Sequence, residues 1–585
     1  MSMHGQDDGL AAIADPMHPP FAHWTLLHSY LLLGLTTLAC LLPFSSKAFH
    51  IDDPLFIWTA QQITHHPFDP YGFHMVWYVT DMPMSAITKN PPLACYYGAL
   101  IGIAAGWSEH AWHLAFLLPA LAVVLGTYRL AIRFTASPLI AAAATLLAPG
   151  FLVSATGVMC DVMMLALWIW AVIFWLRAID SGRPLHFVAS SLLIAGCALT
   201  KYFGASLLVL LLAYSLLRQR RLVASMGYLF IPIAGLVAYQ LWTKALYGRG
   251  LLWDAAQYAR SPQHVDQASR LASGLVGLSF LGGCALPIVL FFPFLWSRRQ
   301  LLFGSLAGAI AGLAVAMHWL HPLIHNPEQH WAWIGMQFAF YFAGGIGLLA
   351  LVVADYRNKK DAESLLLALW VLGTFLFAAF LNWTVNARSL LPLIPAAAIL
   401  MARRLDLRLD LHRDETRQAS SRWLLGIRPG MPARILAVPL AFSTIISLSI
   451  AWGDMALANS ERHMASFFHR QTQSQAGTVF FEGHWGFQYY MQLLGARPLE
   501  YDKFVFKTGD LVVTPENATS TFPISPQFVA TEEILQIDPH AYAATMGLEA
   551  GFYSSVWGPL PFSFGQAPSE PYLLVRLQQP GEGAR

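Results

Sequence analysis

From residue 24 to residue 453 the chain repeats one pattern, a run of apolar residues followed by a short polar connection. A helix needs about 20 mostly apolar residues to cross the hydrocarbon core of a bilayer. Thirteen runs meet or approach that length, near 24–44, 110–132, 137–154, 160–177, 185–200, 203–217, 223–246, 271–296, 301–320, 331–354, 363–382, 389–402 and 435–453. Residues 50–109 break the pattern, because "LACYYGALIGIAAGW" is only 15 residues long and follows Asn90, Pro91 and Pro92. The stretch 45–109 is therefore expected as a long first outer loop whose helices lie along the interface. Beyond residue 453 polar and apolar positions mix. Strand-like "GTVFF" and "DLVV" flank a helix-like "HWGFQYYMQLLG", the alternation of a small α/β domain over 454–585.

Composition agrees with the pattern. Hydrophobic residues make up 56% of the 585 and charged residues 12%, well below the roughly 25% charged residues of soluble domains. The chain is expected to be a polytopic α-helical membrane protein. Its formal net charge of +2 calls for no nucleic-acid partner, and the position of each charge along the chain matters more. The five cysteines, Cys40, Cys95, Cys160, Cys197 and Cys284, match no zinc or redox spacing and read as core thiols.

Basic residues choose the orientation, since short cytoplasmic loops retain them. One alternate set of connections carries twenty Lys and Arg and the other eight, which puts the N-terminus inside. Residues 1–23 hold no Lys or Arg and so lack the basic start of a cleaved signal peptide; they read as a short cytoplasmic tail before a retained first span. Residues 185–217 test the scheme. Arg177 and Arg183 before them and Arg218, Arg220 and Arg221 after them all require the cytoplasm, so two short helices must go out and return. They meet at Lys201, an ammonium below the bilayer surface. A charge at that depth marks a site, unless its stem snorkels to the interface.

Sorted by side, most unusual polar residues face outward, among them Asp52, Asp53, Lys89, Asp161, Lys201, Asp254, Tyr258, Arg260, His321, His325, Glu328 and Arg388. Five stretches in order carry a resemblance. They are the acid pair Asp52-Asp53, "NPPL" from Asn90 to Leu93, "CDVMMLALW" with Asp161, "ALTKYFG" with Lys201, and "ARSLLPLIPA" with Arg388. Together they resemble the GT-C membrane glycosyltransferases of the protein mannosyltransferase and aminoarabinose transferase type, over roughly residues 24–402. The family commonly has Lys-Pro-Pro-Leu where this chain has Asn90, with Lys89 one position earlier. It often has Asp-Glu where this chain has Asp52-Asp53, and Arg-Tyr where it has Arg388-Ser389. The resemblance implies an inverting glycosyltransferase that takes a hexose or pentose from a polyprenyl-phosphate-linked donor to a lipid, glycan or protein acceptor of the cell envelope. Its partners are then that donor, that acceptor and membrane lipids, and its place is a bacterial inner membrane with the active site facing the periplasm.

Such a transfer requires a base, cations for the leaving phosphate, and a groove for the isoprenoid. A carboxylate at the membrane surface suits the base, because partial burial and a like-charged neighbour raise its pKa toward the working range. Asp53 is the first choice, with Asp52 orienting it or binding a cation, and the two roles are exchangeable; the alternative is that one acid caps the following helix. Lys201, Arg388 and Lys89 are the candidates for the phosphate. Asp161, Asn90, Tyr258 and Arg260 are candidates for substrate or metal, although Asp161 also suits a helix start. The only cofactor suggested is a divalent cation; "HWLHPLIHNPEQHW" fits no standard zinc spacing. In "FFEGHWGFQYY", Glu482, His484, Trp485 and Tyr489 offer rings for a sugar, or ordinary core packing. The competing function is a transporter or flippase, in which Lys201 and Asp161 line a translocation path.

Overall fold

A computed structural model describes residues 20–221, 223–259, 270–319, 330–411, 433–473, 477–519 and 521–579. Arg260, His321, His325 and Glu328 lie outside the described residues. Among the described residues nine helices are long and apolar enough to cross a membrane, from Leu26–Phe44 to Ile435–Thr472. They answer nine of the thirteen expected spans. The other four are shorter or broken: Pro184–Thr200 is a single 17-residue helix, while 137–154 becomes Pro138–Leu146 plus Pro149–Ser154. Likewise 271–296 divides into Arg270–Cys284, Leu286–Leu290 and Phe292–Leu295, and 389–402 is reached through the short turns Ala387–Leu390 and Leu391–Leu393 before Ile394–Leu411. Proline explains several breaks. Pro138, Pro149, Pro287 and Pro392 each sit at the first or second position of a new helix, where the missing N–H costs nothing. Broken backbone at membrane depth is tolerated where protein surrounds it, and these segments are buried. The long spans instead present Leu35, Leu118, Val209 and Phe303 outward. The protein is an integral membrane protein.

The chain does turn back at Lys201. That residue is extended, between the helix Pro184–Thr200 and the 3-10 turn Tyr202–Ala205. A Cβ at Gly204 would lie 2.5 Å from the carbonyl carbon of Cys197, so only glycine permits the reversal this close. All five cysteines are buried and unpaired.

The last helix does not stop at residue 453. Ala433–Thr472 is continuous for 40 residues and carries the chain out of the apolar layer into the C-terminal region. There a five-stranded sheet has the order Arg497–Pro498, Val479–Phe481, Leu511–Pro515, Glu570–Leu577, Val529–Ile537. The first three strands run parallel and the last two are antiparallel to their neighbours. The expected strands and the helix Trp485–Leu493 are all present. Leu511–Pro515 is buried throughout, as a near-continuous apolar run in a covered sheet should be.

Residues 47–53 connect the first span to this region, and almost every polar group along them is held. Lys47 pairs with Asp454 and donates to Thr156; the N–H of Ala48 reaches Asn459 and that of Phe49 reaches the Tyr490 hydroxyl. His50 Nδ1 meets Glu461 at 3.2 Å. A Cβ at Gly486 would strike the Phe49 carbonyl oxygen at 2.2 Å, so the sheet region and the first loop touch backbone to backbone.

Candidate active site

The segment 47–53 contains a strained residue. Ile51 has φ +50°, a conformation that costs a β-branched side chain about 1–3 kcal/mol and persists only when its surroundings impose it. The turn sends the two following carboxylates in different directions. Asp53 is buried: its Oδ2 accepts the N–H of His50 at 3.0 Å and its Oδ1 accepts the N–H of Val158 at 3.0 Å. Burial lifts its carboxyl to about 6, against the opposing pull of Lys47 and the two N–H groups. Asp52, 31% exposed, opens onto a cavity of about 1080 Å³.

Four further charged residues share that cavity, Lys89 on one wall and Arg388, Asp161 and Lys201 close to Asp52. Arg388 Nη1 lies 3.2 Å from Asp52 Oδ2 and its guanidinium stands 5.5 Å from the ring of Tyr553. Asp161 does not cap its helix, whose start at Met159 has no side-chain cap; it pairs with Lys201 instead. The Lys201 side chain is 22% exposed, so the ammonium is open to the cavity rather than snorkelling away. Arg388 feels the charges of both Asp52 and Asp161. The waist of the cavity thus brings two carboxylates and two cations together, and among the described residues neither cation is saturated. Lysine has three donors and arginine five, and Arg388 Nε is buried with no hydrogen-bond partner.

Lys89 lies on the same wall as Asn90 and Tyr258, held 2.7 Å from Asp254 and 5.2 Å from the Tyr258 ring. Asp254, on the helix Leu251–Ala259, also meets Arg249 at 3.4 Å. Among the described residues no group of three or more His, Cys, Asp or Glu stands together as a metal site.

From this polar waist the cavity runs into an apolar groove. Val209, Leu210 and Ala213 of the helix Ser206–Gln219 face Leu369, Trp370 and Gly373 of the helix Ala362–Leu376 across it. Val209 is 72% exposed and Leu369 37% exposed, so the groove is open on the side that meets lipid.

The C-terminal region closes the other end. His484, Trp485, Tyr553 and Trp557 line the cavity, whereas Glu482 bonds Thr514 and Tyr489 packs on Phe49 and Trp58. Sequence reasoning passed over Tyr553, whose hydroxyl donates to Asp454 and whose ring supports Arg388. A lone Asp454 at the end of an apolar run was the available signal, since a carboxylate there needs a buried partner.

The family model of the dolichyl-phosphate-mannose-protein mannosyltransferases matches residues 89–242. That segment contains Lys89, Asn90, Asp161 and Lys201, so over this stretch the likeness to GT-C membrane glycosyltransferases rests on more than motif order. Among solved structures the chain is similar to the crystal structure of ArnT from Cupriavidus metallidurans bound to undecaprenyl phosphate. The identity is 14%, covering 85% of this chain and 93% of that one, with a TM-score of 0.38. It is also similar to ArnT from the same organism in the apo state, at 14% identity over 85% of this chain and 94% of that one, TM-score 0.35. No curated protein matches the chain in sequence.

Proposed function

We propose that the protein is a GT-C type glycosyltransferase. It moves a hexose or pentose from a polyprenyl-phosphate-linked donor to a cell-envelope acceptor, with inversion, on the extracytoplasmic face of a bacterial inner membrane. One observation carries the reading: a single cavity joins a lipid-open apolar groove to a waist holding Asp52, Asp161, Lys201 and Arg388. An isoprenoid chain fits the groove and its phosphate falls among the cations.

Asp52, not Asp53, takes the role of base, because it alone of the pair reaches the cavity, while both oxygens of Asp53 are committed to backbone N–H groups. The acceptor's O–H or N–H bond breaks and its proton passes to the Asp52 carboxylate. The acceptor atom bonds the anomeric carbon as the bond from that carbon to the phosphate oxygen breaks. The bond pair leaves with polyprenyl phosphate, which gains one negative charge. Lys201 and Arg388 meet that charge in a water-poor site, where fixed cations stabilise a developing charge most. Asp161 holds the Lys201 ammonium in place. Lys89, clamped by Asp254, is a reserve cation on the neighbouring wall.

The test supplies purified protein with a panel of polyprenyl-phospho-sugars and a cell-envelope extract, and follows polyprenyl phosphate by mass spectrometry. Release is expected with at least one donor. Movement of label across vesicles with the glycosidic bond intact overturns the reading in favour of transport.

A further inference from the structure

At the end of the cavity opposite the groove, the wall is aromatic and strained. The hairpin of His74–Trp77 and Thr80–Pro83 turns through Tyr78 and Val79, at φ +53° and +55°. A two-residue turn with both φ positive normally uses Asn-Gly, and here bulky residues fill it. The C-terminal region imposes the shape: the Tyr501 N–H donates to the Val79 carbonyl at 3.0 Å and the Gln488 amide donates to the Val76 carbonyl at 2.9 Å. Trp77 packs 4.5 Å from His484, whose Nε2 meets the Thr519 hydroxyl at 2.8 Å. Next to His484, Trp485 holds φ +65°, a third bulky residue forced into the left-handed region on one wall. Strain of this kind gathers at ligand sites.

What the strain presents is a corner. Trp485 and Trp557 meet edge to face, 6.1 Å between centroids at 64°, both half-buried and both lining the cavity with Asp52. A second space of about 70 Å³ lies behind them, sharing both tryptophans and His484. Glu461, Glu570, Asn517 and His50 line it, and the buried Nε2 of His50 has no hydrogen-bond partner among the described residues. Burial lowers the His484 imidazole to about 4, so the aromatic side of the corner carries no charge at neutral pH.

We propose that this corner is a saccharide subsite built by the C-terminal region, in which Trp485 and Trp557 take the apolar C–H face of one sugar ring. The groups of the space behind accept its hydroxyls. Apolar rings beside a few fixed polar atoms are the usual make-up of a small-molecule site, and a sugar ring presents both surfaces. The inference rests on the function proposed above, and it makes the C-terminal region part of the substrate site. The ring is that of the donor or that of a glycan acceptor; the chemistry is the same.

The test uses the full-length protein in detergent micelles. Its probes are bare polyprenyl phosphate, the polyprenyl-phospho-sugar panel, a cell-envelope glycolipid extract, and a set of methyl glycosides of glucose, mannose, galactose and arabinose. For a donor subsite, the affinity added by the sugar over bare polyprenyl phosphate falls roughly 5- to 10-fold in Trp485→Ala and Trp557→Ala, the scale of one lost aromatic contact. Binding of the bare lipid stays as in wild type. For an acceptor subsite the donor increment is kept and the half-saturating amount of extract rises by that factor with kcat unchanged. Trp485→Phe retains most of the binding in either case. Equal weakening of bare and sugar-bearing lipid, or no change in any arm, overturns the subsite. Failure of wild type to bind bare polyprenyl phosphate overturns the glycosyltransferase reading alone; the corner is then judged by the methyl glycosides, which the two alanine variants must bind more weakly than wild type.

Discussion

The protein contains two clusters of opposite charge that are alike in chemistry and unlike in surroundings. In the first, Lys47 pairs with Asp454, with Thr156, Thr545 and Tyr553 supplying the remaining hydrogen bonds. The Lys47 and Asp454 side chains are 1% and 0% exposed. In the second, Lys201 pairs with Asp161 and Arg388 with Asp52, but the two cations and Asp52 remain between 17% and 31% exposed to a large cavity. The sealed cluster fastens the first loop, the last long helix and the C-terminal region to one another. The open cluster keeps spare donors and a carboxylate oxygen for something that is not protein. Tyr553 links them, with its hydroxyl on Asp454 and its ring against Arg388. Identity of residue types says little about role; closure decides it.

Breaking the open cluster at its carboxylate should have the largest effect. Asp52→Asn is expected to lower polyprenyl phosphate release by on the order of 10²- to 10⁴-fold, the contribution of a positioned base, with the thermal unfolding midpoint unchanged. Unaltered turnover in this variant would remove Asp52 from the mechanism. Lys47→Met strands a buried carboxylate and should cost about 3–5 kcal/mol of stability, read as a large drop in the unfolding temperature by size-exclusion after heating. If Lys47→Met and Lys201→Met lower stability equally, the distinction between sealed and open clusters is wrong. Lys201→Met also removes the partner of a buried carboxylate, Asp161 at 3% exposed, but Arg388 remains as a second cation acting on it. It is expected to cost less stability than Lys47→Met and roughly 10²- to 10³-fold in turnover, measured at saturating donor.

The smallest effect concerns Asp53 and is a matter of pH. Its carboxyl is raised to about 6 by burial, above the roughly 3.9 of an unfolded aspartate. The folded chain therefore binds this proton more tightly than the unfolded chain, and stability from it is present below pH 4 and lost as the pH rises to 6. The loss is at most about 3 kcal/mol. Asp53→Asn should flatten that part of the stability profile while leaving turnover above a tenth of wild type. Loss of turnover as severe as in Asp52→Asn would return the base to Asp53.

Much of the architecture was legible because bilayer spanning has a one-dimensional signature. Helices that must satisfy their own backbone in lipid announce themselves as apolar runs, and nine expected spans are long helices. The broken ones look continuous in sequence because composition alone does not separate a buried pair of half-helices from one span. The reversal at Lys201 is legible from the arginines on either side of it, and the structure puts that residue on the cavity wall. The order of Asp52 and Asp53 was not, since adjacent residues of one type differ only in the backbone that aims them. A single left-handed residue, Ile51, made that choice.

The sequence by itself determined that this chain crosses a membrane many times and which acids and cations were available for chemistry. These follow from local costs, the desolvation of backbone and of charge, that each segment meets on its own. Only the tertiary structure decided which carboxylate faces the cavity, that Asp161 pairs with Lys201, and that Trp485 and Tyr553 stand beside them although some 430 and 500 residues separate them from Asp52 in the chain. Those outcomes depend on contacts between distant segments whose energies are set by shape, and shape is not written in any single stretch of sequence.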